Sequence, residues 1–465
     1  MKNENLSLNQ KSELNTHIER ILGERIMNGP TAAMRNEMAL GLVVDAMRKQ
    51  GPSQAFSLAK NLIQLHPNSL EILIPFYQTV RNQIGSSELG TDIANEYTKI
   101  ASSHMDQLCN FFRTPPLHIS GWMLNRIGEA VDQTAGVIKA QRLGVLKYRP
   151  VICLEDGQRT ANDAFLPYIS DAFDILTDPK KISAFKSQRV LPRFDSYLMR
   201  FSDEVYGHAS EYESNLNSLL IRNGLETTAF ALKESTMNVA KDFLKHYDLS
   251  DGDSFVTFHN REEGYADAAF HEERNCDPQV YQKAINFLIN NGIKVVRIGH
   301  KRMTELKPQN GFIDLTKIDR PGEVDIYLCA QSLFYFGSSS GPYSLSYQFG
   351  RPSLLIELFP FSQARPNGLN HMKRFYDERT DEVINFEKLK NMDLNNVFSA
   401  DAYKLKGLKS HSVTACEILA STKEMLDWKP GCLLFKENEK LNPRKNSVGV
   451  SHNVMFSSRS LELLI

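Results

Sequence analysis

One apolar stretch of the chain ends in a concentration of polar side chains. The segment SFVTFHNREEGY, residues 254–265, begins as a buried strand, and His259 and Arg261 follow at its end. A guanidinium holds a phosphate or a carboxylate through two parallel hydrogen bonds, so Arg261 is a candidate anion ligand. In the alternative interpretation, Arg261 pairs with one of the two glutamates after it on a solvated loop, and His259 only ends the strand.

A second candidate lies in FGSSSGPYS, residues 336–344, where small residues connect an apolar run to a helical pattern. Such residues leave backbone amides uncrowded at the positive end of a helix, which is a favourable place for an anion. The segment lacks the lysine of a P-loop and the spacing of a dinucleotide-binding glycine motif. A small-residue turn that serves only tight packing is the alternative. The candidate anion-binding residues are Ser338, Ser339, Ser340 and Gly341.

A third candidate is VVRIGH, residues 295–300, which reads as a strand with Arg297 and Gly299 at its end. Arg297 could lie beneath the same anion as Arg261. It could equally be a structural partner of Asp314 or Asp325, and the sequence leaves both interpretations open.

Carboxylates in the preceding part of the chain are candidate general bases. In NRIGEAVDQ, Glu129 follows a glycine turn at the start of a predicted helix, and in CLEDG, Glu155 and Asp156 end a predicted strand. The sequence does not rank these candidate bases firmly.

The segment HEERNCD, residues 271–277, places its histidine and acids too close together for a metal site, so no metal is expected.

Strands that alternate with helices predict an α/β protein with parallel sheets. We expect two Rossmann-like domains that face a cleft, behind an all-helical N-terminal region that resembles tetratricopeptide repeats or is a plain bundle. Because open α/β sheets bind ligands at the carboxyl ends of their strands, His259 and Arg261 are expected to face that cleft. The predicted parts are a helical region at 1–112, a first Rossmann-like domain at 113–248, a second Rossmann-like domain at 249–430, and a tail with a short final helix at 431–465.

Composition excludes several classes of protein. The formal net charge of -1 and the scattered basic residues argue against a nucleic-acid partner. No apolar run reaches the length of about 20 residues that would cross a bilayer, and the polar N-terminus does not resemble a signal peptide. The six cysteines are far apart, which favours the reducing cytoplasm.

Residues 250–360 resemble a family of bacterial GT-B-type glycosyltransferases associated with surface-polysaccharide genes and distantly similar to fucosyltransferase-like enzymes with an HxR motif. The resemblance places His259 and Arg261 at the HxR positions, with Arg261 on the diphosphate of the donor. It matches Arg274 and Asn275 to an Arg-Asn pair of unknown role, and the serine loop to the donor site. This chain departs from its relatives in having Asn260 before the arginine and Glu262 after it.

The resemblance implies transfer of a sugar from a nucleotide-diphosphate donor to an acceptor hydroxyl, inverting and without a metal or other cofactor. The base would be Glu129, or else His259. The acceptor could be a glycan, a lipid-linked sugar or a protein, and the N-terminal region could support a homo-oligomer. The alternatives are a nucleotide-sugar epimerase or hydrolase on the same fold, and a non-enzymatic helical-repeat scaffold.

Overall fold

The computed structural model describes most of the chain beyond residue 117 and divides the chain into two units, residues 1–81 and 82–465. Only Leu58 and Asn61 of the first unit are described, so the predicted helical region at 1–112 lies outside the described residues, as does the predicted final helix. The described residues are 58, 61, 118–144, 146, 149–187, 198–200, 206–208, 213–262, 274–360, 364–365, 367–392, 394, 400–428 and 455–458.

The part of the second unit that precedes residue 250 is built on a three-stranded parallel sheet in the order β1-β2-β3. A separate antiparallel pair, β4 and β5, follows. The elements are β1 (His118–Ser120), α1 (Ile127–Arg142), β2 (Val151–Cys153), α2 (Leu166–Ile169), β3 (Asp174–Leu176), α3 (Pro179–Ser187), β4 (Leu198–Arg200), β5 (Tyr206–His208), α4 (Glu213–Arg222) and α5 (Glu234–Leu244).

The remaining part holds a larger sheet. Its elements are β6 (Phe255–His259), α6 (Gln282–Asn290), β7 (Lys294–Arg297), β8 (Phe312–Asp314), α7 (Gly322–Gln331), β9 (Tyr335–Ser338), α8 (Gly341–Gln348), β10 (Ser353–Leu358), β11 (Gly368–Met372), β12 (Arg374–Asp377), β13 (Val383–Ile384), α9 (Phe386–Asn391), α10 (Ala400–Leu405), β14 (Leu408–His411), α11 (Ala415–Asp427) and β15 (Met455–Phe456).

Seven of these strands form one sheet in the order β15-β11-β10-β9-β6-β7-β8, and every pair in it is parallel. The chain builds β6, β7 and β8 outward in one direction, then returns past β6 to build β9, β10 and β11 in the other. The predicted α/β class with parallel strands is therefore confirmed. The predicted boundary at 248/249 falls in a turn where Asp248 has a φ of 54°, directly before this sheet, and the domain boundaries remain predictions.

The central strands are buried along their whole length because helices cover both faces of the sheet. All five residues of β6 and all six of β10 are buried. One face packs on α6 and α11 through Ile285, Leu288 and Ile418, which share a core with Val256 and Phe258. On the other face, the Thr257 hydroxyl donates a hydrogen bond to the Leu328 carbonyl of α7 at 2.8 Å.

The N-terminal turns of α1 and α8 lie in direct contact with each other. Farther along these helices, a buried group of charges joins them to α4. Arg365 donates to Glu213 of α4 at 2.5 Å and to Asp132 of α1 at 3.0 Å. Lys139 of α1 lies 2.8 Å from Glu213, and Gln348 of α8 donates to the same carboxylate at 2.5 Å. The group holds two cations and two carboxylates, so its charges balance.

Burial by itself would raise the pKa of Glu213, but Lys139 and Arg365 outweigh it and lower that pKa to about 2. Burial lowers the pKa of Lys139, although Glu213 opposes the shift. The carboxylate of Glu213 therefore stays ionised across the physiological range because both cations contact it.

Among the described residues, no helix combines the length and the apolar composition needed to cross a membrane.

Arg365→Met should destabilise the protein by about 3–5 kcal/mol, because it leaves the buried Glu213 and the partly buried Asp132 beside a single lysine. The measurement is urea-induced unfolding at pH 7. Lys245→Met is the matched control: Lys245 forms a surface ion pair with Asp242 at 3.3 Å, both side chains are largely exposed, and its loss should cost about 0–1 kcal/mol. Equal losses in the two variants would contradict a structural role for the buried charges.

Candidate anion-binding site

The candidate site lies where the strand order of the large sheet reverses, between β6 and β9. At the carboxyl ends of these strands His259 is paired with Gly337. Gly337 has a φ of 141°, and a Cβ at this position would lie 1.8 Å from the His259 carbonyl oxygen, so only glycine fits. Open parallel sheets form a ligand crevice at such a reversal. The two predicted anion-binding segments follow these two strands.

Arg261 and the serine loop are held together by hydrogen bonds. The Arg261 main-chain N–H donates to the Ser338 hydroxyl at 2.7 Å. The side-chain Nε of Arg261 donates to Asn275 Oδ1 at 3.2 Å, which gives the second member of the Arg-Asn pair a contact with the first motif. The structure thus brings together the two segments that the sequence singled out separately.

Arg274 places a second guanidinium beside the serine loop. Its Nε donates to the Ser339 carbonyl at 3.0 Å, and its terminal nitrogen Nη2 donates to the same oxygen. Burial lowers the pKa of Arg274 to about 10, and repulsion from Arg261 adds to the shift. Within the described part of the chain, no carboxylate forms an ion pair with Arg274, so its charge is available to an anion.

Two helices begin at this place. A Cβ on Gly341, the first residue of α8, would lie 2.6 Å from Ile127 Cγ2 and 3.0 Å from the Gly128 nitrogen. The first turns of α8 and α1 therefore touch through two glycines. In the structure as described, neither helix has a side-chain hydrogen bond at its N-cap, Ser340 or Arg126. The positive ends of two helix dipoles thus converge beside two guanidiniums.

Glu129 lies in the first turn of α1 and is exposed. It is close enough to Arg274 to favour the charged form of that guanidinium. Its assignment as a general base stays a prediction, and so does that of Glu155 and Asp156, which lie in the loop after β2.

His259 is buried, and its Nδ1 lies 2.8 Å from the Ser340 hydroxyl oxygen. Burial, together with the positive charge of Arg297 and of other neighbours, lowers the pKa of His259 to about 3. The imidazole is therefore neutral at physiological pH.

Arg297 is fully buried and is engaged by two carboxylates. It lies 2.6 Å from Glu262 Oε1 and 3.1 Å from Asp314 Oδ2, and it also donates to the Thr304 carbonyl at 2.6 Å. The contact with Asp314 is the structural alternative that the sequence left open, and Glu262 is one of the two positions at which the sequence differs from the motif it resembles. We therefore assign Arg297 to the support of the β6 and β7 ends rather than to the anion.

Gly299 lines a cavity of about 560 Å³ at the carboxyl ends of β7 and β8. The loop after β2 closes the far side: Asn162 Nδ2 donates to the Gly322 carbonyl at the start of α7 at 2.9 Å. A Cβ on Gly322 would lie 2.2 Å from Asn162 Oδ1, so the loop and the helix meet closely. The cavity is lined by residues 160–164, 299–301, 316, 318–320, 322–323 and 325.

Several residues of the site had no signal in the sequence. Tyr335 contacts the His259 carbonyl and Ser340 through its hydroxyl, yet it reads as an ordinary strand residue.

His271, part of the segment judged unsuitable for a metal, lies outside the described residues. Among the described residues no group of three or more His, Cys, Asp or Glu side chains is arranged to hold a metal ion.

Comparison with protein families and with curated proteins finds no match. Among solved structures, the chain is similar to a glycosyl transferase family 9 protein from Veillonella parvula, at 15% identity and a TM-score of 0.30 over 51% of this chain and 78% of the other. It is similar to E. coli ADP-heptose LPS heptosyltransferase II, at 10% identity and a TM-score of 0.34 over 51% and 83%.

A third similar structure is the dodecameric iron-containing glycosyltransferase TibC from E. coli, at 14% identity and a TM-score of 0.32 over 69% and 70% of the two chains. All three neighbours are glycosyltransferases. Likenesses at these TM-scores do not by themselves establish a shared fold or activity, and the functional argument therefore depends on the geometry of the site.

Gly341→Ala should weaken the binding of inorganic pyrophosphate, because the added methyl group must displace either Ile127 or the backbone of Gly128 and so moves the start of α8. Loss of one charge-assisted hydrogen bond, about 1.5–3 kcal/mol, corresponds to at least about tenfold in affinity. Isothermal titration calorimetry measures the effect.

The matched control is Gly252→Ala, at a positive φ of 94° in a turn with no atom within 4 Å of the added methyl group. Gly341 has no positive φ, so the control adds a backbone strain that Gly341→Ala lacks, and it makes no contact at the site. Unchanged pyrophosphate affinity in Gly341→Ala would show that the start of α8 does not bind the anion.

Proposed function

We propose that this protein is a GT-B-like glycosyltransferase that moves a sugar from a nucleotide-diphosphate donor to an acceptor hydroxyl. The observation that carries the proposal is the convergence of Arg261, Arg274 and the first turns of α1 and α8 at one crevice. Two guanidiniums and two helix ends provide more positive charge than a single carboxylate requires. A diphosphate, with its several charged oxygens, matches that concentration.

The nucleoside of the donor would occupy the adjoining cavity. That cavity lies at the ends of β7 and β8, next to β6, so a ligand with its diphosphate at Arg261 could extend into it along the same sheet edge. Its lining is polar and carries both signs of charge, including Lys301, Arg320 and Asp325. Polar side chains of this kind can contact ribose hydroxyls and base edges.

The reaction follows from where charge develops. An acceptor oxygen forms a bond to the anomeric carbon, the bond between that carbon and the phosphate oxygen breaks, and the nucleoside diphosphate leaves with the electron pair. The leaving phosphate becomes more negative as this bond breaks. Cations and amides fixed in advance stabilise that charge more in the transition state than in the ground state.

A base must take the proton of the acceptor hydroxyl. Glu129 is exposed at the start of α1, beside Arg274, and is the proposed base; His259 is the alternative. Attack from the face opposite the leaving group would invert the anomeric carbon. No cofactor enters the proposed reaction, and the acceptor is a glycan, a lipid-linked sugar or a protein.

Arg261→Ala should lower the rate of sugar transfer by about a hundredfold or more, because it removes one fixed donor from the leaving phosphate. The melting temperature should change by only a few degrees, since Arg261 is only half buried. A thermal-shift screen with UDP, GDP, ADP, TDP and CMP first identifies the nucleotide, because a ligand that binds the folded state raises the melting temperature by mass action.

Arg302→Ala is the control for general loss of positive charge, because Arg302 is exposed. Transfer at the wild-type rate in Arg261→Ala would remove the diphosphate role of this residue. Turnover of the donor at the full rate without any acceptor would identify a hydrolase or an epimerase instead, and no thermal shift with any nucleotide would favour a scaffold.

A further inference from the structure

A chain of three polar side chains lies directly beneath the candidate site. The Tyr335 hydroxyl is fully buried and lies 3.0 Å from the His259 carbonyl oxygen, 2.9 Å from the Ser338 carbonyl oxygen and 2.9 Å from Ser340 Oγ. Ser340 Oγ in turn lies 2.8 Å from His259 Nδ1. The chain therefore leads from a strand interior to one nitrogen of the imidazole.

The positions of the protons in this hydrogen-bonded group follow from the number of its donors and acceptors. A carbonyl oxygen only accepts, whereas a hydroxyl donates one hydrogen and accepts through its lone pairs. The Tyr335 hydroxyl has a single hydrogen, and it donates this hydrogen to the two carbonyl oxygens beside it. The close contact between the two hydroxyl oxygens then needs the Ser340 proton. With that proton directed to Tyr335, the contact between Ser340 Oγ and Nδ1 is a hydrogen bond only if Nδ1 carries a hydrogen.

The reverse arrangement satisfies fewer contacts. If Ser340 donated to Nδ1, the Tyr335 oxygen would face three oxygens at 2.9–3.0 Å with one proton among them. Unsatisfied polar contacts of this kind are costly inside a protein. The tyrosine keeps its proton, because burial raises the pKa of Tyr335 well above its ordinary value.

We infer that Tyr335 and Ser340 hold His259 in the tautomer protonated at Nδ1, so that Nε2 accepts a hydrogen bond from a hydroxyl group of the bound substrate. Tyr335 and Ser340 are positioning residues in this scheme. The assignment of the tautomer rests on geometry alone, whereas the hydroxyl as the partner of Nε2 rests on the proposed function.

With this tautomer, His259 and Arg261 have different roles in binding. An imidazole with a bare Nε2 cannot donate a hydrogen bond to a phosphate through that nitrogen. Protonation of Nε2 would make it a donor, but burial and the cations around it hold the pKa of His259 at about 3. The phosphate charge is thus left to the two guanidiniums and the helix ends.

The geometry of the strands explains why these residues meet. In the pairing of β6 with β9, Thr257 lies opposite Tyr335 and His259 lies opposite Gly337. The close backbone approach at Gly337 brings the His259 carbonyl to the tyrosine hydroxyl. Ser340 follows two residues after β9, at the N-cap of α8, and reaches the same hydroxyl from above the strand end.

Solid-state 15N spectroscopy of the full chain with labelled histidine tests the tautomer. The chain has 12 histidines, so the signals of His259 are identified by their loss in His259→Asn. We expect a protonated Nδ1 and an unprotonated Nε2 in the wild type. In Tyr335→Phe, the Ser340 hydroxyl loses its acceptor and can donate to Nδ1, so the two signals should exchange their types.

Tyr281→Phe is the matched control. Tyr281 is also fully buried, and its ring packs on Phe258 and Phe336, but its hydroxyl takes no part in the chain to His259. Its spectrum should equal that of the wild type. A protonated Nε2 in the wild type overturns the inference, and this spectrum decides the matter even if Tyr335→Phe does not fold. Unchanged His259 signals in a folded Tyr335→Phe overturn it as well.

Pyrophosphate binding separates this inference from the proposed function. His259→Asn should bind inorganic pyrophosphate as the wild type does, whereas Arg261→Ala should bind it less tightly. Weaker binding by His259→Asn, to the same extent as by Arg261→Ala, would make His259 a phosphate ligand and overturn its role as an acceptor. If the Nδ1 tautomer is found but no nucleotide diphosphate binds, the proposed function fails and the tautomer assignment stands.

Discussion

The close approach of two parallel strands at His259 and Gly337 is the constraint on which the site depends. A residue with a side chain at 337 would force β6 and β9 apart at their carboxyl ends. With glycine there, the main chain after β6 lies within hydrogen-bond distance of the loop after β9, and the Arg261 amide reaches the Ser338 hydroxyl. The reversal of strand order at this pair leaves a crevice above it, because the crossover connections depart in opposite directions.

The arginines around the crevice differ in whether a carboxylate pairs with them. Arg297 is neutralised by Glu262 and Asp314, and Arg365 by Asp132 and Glu213, so both are committed to structure. Arg274 instead donates to a backbone carbonyl, is repelled by Arg261, and is attracted by Glu129 without forming an ion pair with it. A partly buried cation without a carboxylate partner among the described residues is unfavourable in the protein alone. An anionic ligand would relieve that cost, which is why the distribution of ion pairs distinguishes binding arginines from structural ones.

The sequence predicted the part of this arrangement that depends on local pattern. The strands at 255–259 and 294–297 lie in the two apolar runs that the sequence singled out as strands. The resemblance drew attention to Arg261 and to the serine loop. The small antiparallel sheet of β12, β13 and β14 had no comparable signal, because its strands are short and mixed in polarity.

Contacts between residues distant in sequence were beyond pattern reasoning. Arg365 meets a carboxylate 233 residues earlier in the chain, and nothing in its neighbouring residues marks it as buried. The sequence marks Tyr335 only as a strand residue, because the period of a strand gives the direction of a side chain but not the partners of its hydroxyl. Whether a side chain donates or accepts a hydrogen bond depends on such partners. It can therefore be decided only from the folded structure.

The buried charges between the helices also bear on how the crevice is held. Asp132 lies one turn after Gly128 in α1, and Ser344 lies one turn after Gly341 in α8; the Ser344 hydroxyl donates to Asp132 at 3.0 Å. The two helices are thus joined by glycine contact at their first turns and by hydrogen bonds to a partly buried carboxylate one turn later. If the two helices separated, Asp132 and Glu213 would lose the arginine, Arg365, that pairs with both of them. A site built on this junction has its helix ends oriented before any ligand arrives, and fixed dipoles stabilise developing charge without the reorganisation that water would require.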